Sequence, residues 1–193
     1  MDLICATHNE HKMEEIRAIF NMPFIQLKSL KELNFHEDIE ETGSTMEANA
    51  LIKARYIAAK NTTNVMAEDS GLEVIALNMA PGVYTARYAG TAKDDQANMK
   101  KLLTNLLDVE DRSARFRSVF ALILNGKEYV FEGWVNGQIA QEQKGSGGFG
   151  YDPIFIPHGY NETFAELQSE VKNEMSHRYR ALMKMFAFLN KNG

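Results

Sequence analysis

The chain is predicted to be an α/β protein: a mixed sheet with helices on its faces. Two observations carry that prediction. The first half alternates short apolar runs with helical patterns. The second half holds two long strand-like runs joined by Asn125-Gly126, the strongest short hairpin signal in a sequence.

Leu3 to Ala6 reads as a buried strand. Asn9 follows as the cap of a helix running to about Phe20, with Met13, Ile16, Ile19 and Phe20 on one face. Phe24 to Leu30 alternates as a second strand. Ser44-Thr45-Met46-Glu47 matches a capping box, with Ser44 as cap, and opens a helix to about Lys60. Val65-Met66-Ala67 is a brief strand ending at Glu68-Asp69-Ser70-Gly71, and Glu73 to Leu77 starts another. After the turn at Ala80-Pro81-Gly82, Asp94 to Leu107 is helical, with Met99, Leu102, Leu103, Leu106 and Leu107 apolar. Arg115 to Leu124 and Glu128 to Val135 form the hairpin, Ile154 to Ile156 a short strand, and Phe164 to Val171 and Ser176 to Leu189 two closing helices. With 193 residues and no repeat or linker, residues 1–193 read as a single domain.

The composition is 45% apolar and 24% charged, as in ordinary soluble proteins, and no apolar run approaches the ~20 residues that span a bilayer. The net charge is −5, with Lys and Arg scattered, which argues against a nucleic-acid polymer as partner. The N-terminus lacks the basic stretch of a signal peptide. The single cysteine, Cys5, leaves no internal disulfide and suits a reducing compartment as small core filler. These features point to a cytoplasmic protein without a membrane partner.

Gly145-Ser146-Gly147-Gly148-Phe149-Gly150-Tyr151-Asp152-Pro153 is the densest unusual feature. Glycine at this density allows a ligand to approach a backbone whose amides are free to donate, and the aromatics offer flat faces to a base. A plain glycine-rich turn explains the run equally well. Its accidental G-x-G-x-x-G is not a dinucleotide fingerprint, because Pro153 and a strand follow where a helix should open. The chain also has no P-loop motif.

Other polar clusters sit at predicted strand ends. Thr7-His8-Asn9-Glu10-His11-Lys12 enters a helix N-terminus, a place that favours anions and where a lysine opposes the dipole unless an anion arrives. Glu68-Asp69 and Glu37-Asp38-Ile39-Glu40-Glu41 supply hard oxygen ligands of the kind that suit Mg²⁺ rather than zinc. His8 and His11 have the spacing of a metal pair, but no further ligands cluster near them. Ser176-His177-Arg178 puts positive residues at another helix start. Each cluster alone reads as structure at least as readily as function.

Their order is more specific. Thr7-His8-Asn9-x-x-Lys12, Glu40-Glu41-Thr42-Gly43, the stretch Glu47 to Arg55, Glu68-Asp69-Ser70-Gly71-Leu72, Pro81-Gly82-Val83-Tyr84 with Ala86-Arg87-Tyr88, the glycine run and Ser176-His177-Arg178 follow one another through nearly the whole chain. This series closely resembles the inosine triphosphate pyrophosphatase family, the dITP/XTP or non-canonical purine nucleoside triphosphate pyrophosphatases, in a bacterial-type member.

The resemblance implies an elongated mixed α/β fold with two lobes around a substrate cleft, a homodimer, and Mg²⁺-dependent hydrolysis of dITP, ITP and XTP to monophosphate and pyrophosphate, which cleanses the nucleotide pool. It implies that Thr7, His8, Asn9, Glu10, His11 and Lys12 bind the triphosphate and that Lys53 faces phosphate. Glu40 and Asp69 would hold magnesium, with Glu40 aligning better than Glu41, and Asp69 would activate water. Ser70 would touch substrate. Phe149, Gly150, Tyr151, Asp152, Lys172, His177 and Arg178 would hold base and nucleoside, and Arg87 would reach phosphate. His8 departs from the pattern, since many relatives carry glycine there. A general nucleotide phosphatase, a nucleotide sensor without catalysis and an interaction scaffold are the competing readings. The paired carboxylates speak against the sensor.

Overall fold

Successive side chains of a strand point to opposite faces of its sheet, so an all-apolar strand must be covered on both sides. A computed structural model describes residues 1–60 and 64–192 and shows how this chain covers them. Its strands are β1 (Asp2–Cys5), β2 (Gln26–Ser29), β3 (Asn64–Val74), β4 (Ser113–Leu124), β5 (Lys127–Ile139) and β6 (Phe155–Pro157). They form one mixed sheet in the order β2-β1-β3-β4-β5-β6. β1 runs parallel to β2 and β3, while β6 runs antiparallel to β5. The helices are α1 (Glu10–Ile19), α2 (Met46–Lys60), α3 (Asp95–Asn105), α4 (Ser169–Met175) and α5 (His177–Asn192). The mixed sheet with flanking helices is the predicted class.

The chain divides into two compact units. The first holds Met1–Asp69, Ser118–Gly133 and the residues from Arg178 onward; the second holds Ser70–Arg117 and Trp134–His177. In the first unit Leu3, Cys5, Met66, Phe120 and Leu122 pack with α1 and α5. Their neighbours Ile4, Val65, Ala67 and Ala121 pack with Ala50, Ala54 and Ile57 of α2. The second unit has its own core of Leu72, Val74, Met99, Leu102, Phe116, Ile154, Phe155 and Phe164.

Asn9 caps α1 as predicted, its side chain accepting from the Lys12 amide at 3.0 Å. Asn125 and Gly126 both take positive φ, 50° and 76°, as the tight hairpin turn demands. Several boundaries differ. The α2 cap is Thr45, not Ser44: the Ala48 amide donates to Thr45 Oγ1 at 3.1 Å. Residues 64–74 are one continuous strand, so Glu68-Asp69-Ser70-Gly71 lies inside β3 rather than closing it, and Ile75–Leu77 is a 3₁₀ turn. Phe164 and Ala165 are not helical, because their amides donate to Phe155 and Asp152 carbonyls; the helix starts at Ser169. α3 ends at Asn105, which leaves Leu107 76% exposed.

Candidate functional site

Glu68 and Asp69 are adjacent in β3 and therefore serve opposite faces of the sheet. Both are buried. On the α1/α5 face, Glu68 accepts from Ser118 Oγ at 2.7 Å, pairs with Arg178 at 3.0 Å and has the Lys12 ammonium 3.5 Å away. Arg178 is also bonded to Glu15. Burial works against the charge of Arg178, but Glu68 and Glu15 outweigh it and its pKa is raised. Removing one partner from such a buried set strands a charge. Cys5 lies within this field, its thiol pushed up to about 12, first by burial and then by Glu68.

On the α2 face, Asp69 Oδ2 accepts from Asn49 Nδ2 at 3.1 Å. Asn49 is wholly buried, and its Oδ1 accepts the Gly43 amide at 2.8 Å, tying the segment after Glu40-Glu41 to the carboxylate. Gly43 has to be glycine: a Cβ there would lie 2.6 Å from Asn49 Oδ1. Lys53, one helical turn beyond Asn49 on α2, bonds Glu41. Burial raises the Asp69 pKa. Lys53 and then Lys12 oppose that shift, Glu41 adds to it, and the Asn49 bond lowers it. Lys12, Lys53 and Glu41 therefore all act on Asp69, whereas Glu40 is exposed on the same segment as Glu41.

The rest of the Thr7–Lys12 stretch faces outward. His8 Nε2 donates to the Glu37 carbonyl at 2.9 Å, and its ring stacks on Phe35. Glu10 pairs with Lys31 at 2.6 Å and His11 lies 3.9 Å from Glu14. Thr7 Oγ1 accepts the Asn9 amide at 3.1 Å, so Thr7 and Asn9 shape the turn into α1.

In the second unit the glycine run is largely explained by its own chain. Gly145 (φ 79°) and Gly147 press on the Ala165 backbone, where a Cβ would come within 2.5 Å and 3.0 Å. A Cβ on Gly148 would meet Asp152 Oδ2 at 2.0 Å. The expected free amides are also taken. Gly147 donates to the Ala165 carbonyl, Phe149 to Asp152 at 2.8 Å and Gly150 to Asp95 Oδ2 at 2.9 Å. Only at Gly150, with φ 62°, does nothing lie within 4 Å of where a Cβ would project.

Asp152, buried, also accepts from Lys172 Nζ at 2.6 Å, and that ammonium sits 5.3 Å from the Phe149 ring centroid. Tyr151 donates its hydroxyl to the Thr85 carbonyl at 2.9 Å. Its pKa is raised, mainly by burial. His177 is buried and stacks on Phe116 with ring centroids 5.0 Å apart. Phe149, Gly150, Tyr151, Asp152 and Lys172 thus form one connected group. Ser70, half-buried in β3, belongs to this unit, as does Arg87.

Asn49, Glu15 and Asp95 carried no role in the sequence reading. For Asn49 a signal existed: a poor helix former in the middle of a strong helix. Glu15 and Asp95 gave none beyond their charge.

Magnesium fits the donor set of the first unit. Among the described residues no three of His, Cys, Asp and Glu gather into one metal-holding group. Mg²⁺ needs no such cage, since it takes one or two carboxylates and fills the remainder with water and phosphate oxygens. Asp69 would supply one such carboxylate, with Glu40 and Glu41 on the segment that Asn49 ties to it.

Comparison with known proteins places these residues in context. The model of the Ham1 family matches residues 3–188. The chain is 47% identical over 191 residues to a dITP/XTP pyrophosphatase of Christiangramia forsetii, covering 99% of this chain and 100% of that protein. It is 48% identical to a dITP/XTP pyrophosphatase of Bacillus subtilis, covering 97% and 96%. The solved structure of the Staphylococcus aureus Ham1 protein superposes with a TM-score of 0.90 at 41% identity, covering 100% of both chains.

Proposed function

The chain belongs to the Ham1 family, and from that premise we propose that it hydrolyses the non-canonical purine nucleoside triphosphates dITP, ITP and XTP, with Mg²⁺, to monophosphate and pyrophosphate. The observation that carries this reading is the buried Asp69 carboxylate, tied through Asn49 to the segment of Glu40 and Glu41 and acted on by Lys53 and Lys12. Cleavage between the α and β phosphorus needs neutralised charge, a placed water and a stabilised leaving group, and this cluster contains side chains for each task.

Lys12 and Lys53 neutralise phosphate oxygens, helped by the turn that Thr7 and Asn9 build at the start of α1. Asp69 and Glu40 would hold the ion, while Glu41 is already engaged by Lys53. When bound, Mg²⁺ supplies positive charge to phosphate oxygens and to the pyrophosphate leaving group. Asp69 takes the proton of the attacking water. Its carboxylate is buried and held by Asn49, which fixes where that proton is received.

Base recognition falls to Phe149, Gly150, Tyr151, Asp152, Lys172 and His177 of the second unit, with Ser70 touching substrate, while Arg178 in the first unit is engaged by Glu68 and Glu15. Hypoxanthine and xanthine carry an oxygen at C6 where adenine carries an amino group, so a site that donates a hydrogen bond to that oxygen loses its acceptor when adenine enters. Sites built on such bonds reach discrimination of about 10⁴-fold. We further propose that the protein works as a homodimer in the cytoplasm. No helix among the described residues is long and apolar enough to cross a membrane, which accords with that placement.

The deciding experiment incubates the purified chain with ITP and Mg²⁺ and identifies products by phosphorus NMR. IMP with pyrophosphate is the expected pair; orthophosphate as the first product overturns the reading.

A further inference from the structure

The glycine run ends in a segment whose donors are consumed by carboxylates. Phe149 gives its amide to Asp152 and Gly150 gives its amide to Asp95. A loop meant to cradle phosphate keeps its amides open, and a carboxylate beside them repels an anion. This loop is therefore arranged for a neutral group, and Asp95 fixes how it is presented.

Asp95 is the first residue of α3, and its carboxylate is not the cap of that helix. Asp94 does that work, accepting the Ala97 amide at 3.0 Å. What the Asp95 carboxylate does is reach 55 residues along the chain to Gly150. α3 itself is anchored: Asn98 accepts the Ala89 amide at 2.6 Å and donates to the Ala86 carbonyl at 3.0 Å. Thr85, in the same segment, accepts the Tyr151 hydroxyl on its carbonyl and the Leu72 amide on its hydroxyl. The loop is thus held from two sides, by Asp95 at Gly150 and by Thr85 at Tyr151. Between them Gly150 keeps a positive φ with open space where a side chain would stand, a conformation only glycine adopts cheaply.

Resting on the pyrophosphatase reading above, we infer that Asp95 is a positioning residue for base recognition: its carboxylate holds the Gly150 amide, so that the open face of Gly150 and the ring of Phe149 are set for an incoming purine. Asp95 touches no reacting atom. It acts through the loop, so its loss weakens capture of substrate rather than the chemical step.

The test compares Asp95→Ala with Asp95→Asn. Both remove the negative charge from the first helical turn and so lose the same dipole interaction; only asparagine keeps an oxygen able to accept the Gly150 amide. Asp95→Ala is expected to raise KM for ITP about tenfold with kcat held within about twofold, and to shrink the preference for ITP over ATP. Asp95→Asn is expected to restore KM to within about threefold of the parent, the difference being one accepted hydrogen bond. Amide hydrogen exchange at Gly150, read by NMR, should speed up in the alanine variant and stay slow in the asparagine variant. Should Asp95→Ala not fold, Asp95→Ser replaces it as the form lacking the long acceptor. Unchanged KM in the alanine or serine variant, or equal damage from asparagine, overturns the inference. If the parent protein fails to turn over ITP, the pyrophosphatase reading falls, while the exchange experiment still reports whether Asp95 holds the loop.

Discussion

The two polar clusters of this chain handle charge in different ways. Around Glu68 and Asp69, the cations Lys12, Lys53 and Arg178 lie among the carboxylates of Glu15, Glu41, Glu68 and Asp69. In the glycine loop, Asp152 is matched by Lys172, and the carboxylates of Asp152 and Asp95 accept backbone amides. The first arrangement gathers side chains of both signs around two buried carboxylates, a setting that suits phosphate chemistry. The second is internally satisfied and suits recognition by shape and hydrogen bonding. On the proposed function, chemistry and selectivity fall to regions with opposite electrostatic habits.

If the loop is the self-satisfied region, disturbing its internal pair should damage the fold more than anything else. Asp152→Ala leaves the buried Lys172 ammonium without its carboxylate and frees the Phe149 amide. Breaking a buried pair from one side costs about 3–5 kcal/mol, which urea unfolding would read as a large drop in stability. Lys172→Met added to it should recover part of the loss, because the stranded charge is gone. A cost under about 1 kcal/mol for Asp152→Ala would mean that the pair is exchangeable with water, as in surface ion pairs, and that the contrast between the clusters is false.

The charge-rich cluster should behave the other way, losing activity while gaining stability. Asp69→Asn keeps the volume and an acceptor for Asn49, and is expected to lower kcat at least ~100-fold. In metal-free protein the same change should stabilise the fold at neutral pH. The sign follows from the raised pKa: the folded state binds the Asp69 proton more tightly than the unfolded state does, so ionisation costs stability. That cost begins as pH rises past the ordinary aspartate range near ~3.9 and is complete above the raised folded value. Thermal melts of parent and variant in chelator should therefore diverge as the pH rises from the ordinary aspartate range towards neutrality, with the variant higher at the upper end. Coincident melts at both ends would mean that Asp69 titrates as though exposed.

How far these regions were legible in the sequence follows from the range of the interactions that make them. Asn9 as a cap and Asn125-Gly126 as a hairpin turn depend on neighbours a few residues away, and both were readable. The uninterrupted β3 was not. Two adjacent carboxylates look like a strand end until Ser118 and Arg178 come to one of them and Asn49 to the other, from 20 to 110 residues away. The glycine run misled for the same reason. Its spacing suggested a ligand, yet Gly145 and Gly147 are small because Ala165 passes over them and Gly148 because Asp152 folds back. Asp95 was invisible, since nothing local ties a helix-start aspartate to a glycine in the run.

The smallest expected effect separates two neighbours that sequence could only rank. Glu41 is bonded to Lys53, and its charge falls on Asp69; Glu40 is exposed on the same segment. If Glu40 is the second magnesium ligand, Glu40→Gln should raise the Mg²⁺ concentration for half-maximal rate on the order of tenfold while leaving KM at saturating metal little changed. Glu41→Gln releases Lys53 instead, so its effect should fall on KM for the triphosphate, with the metal requirement nearly unaltered. Titrations of Mg²⁺ at fixed ITP, and of ITP at fixed Mg²⁺, read the two apart. The reverse pattern would move the metal ligand to Glu41 and make its bond to Lys53 one that opens when the ion binds.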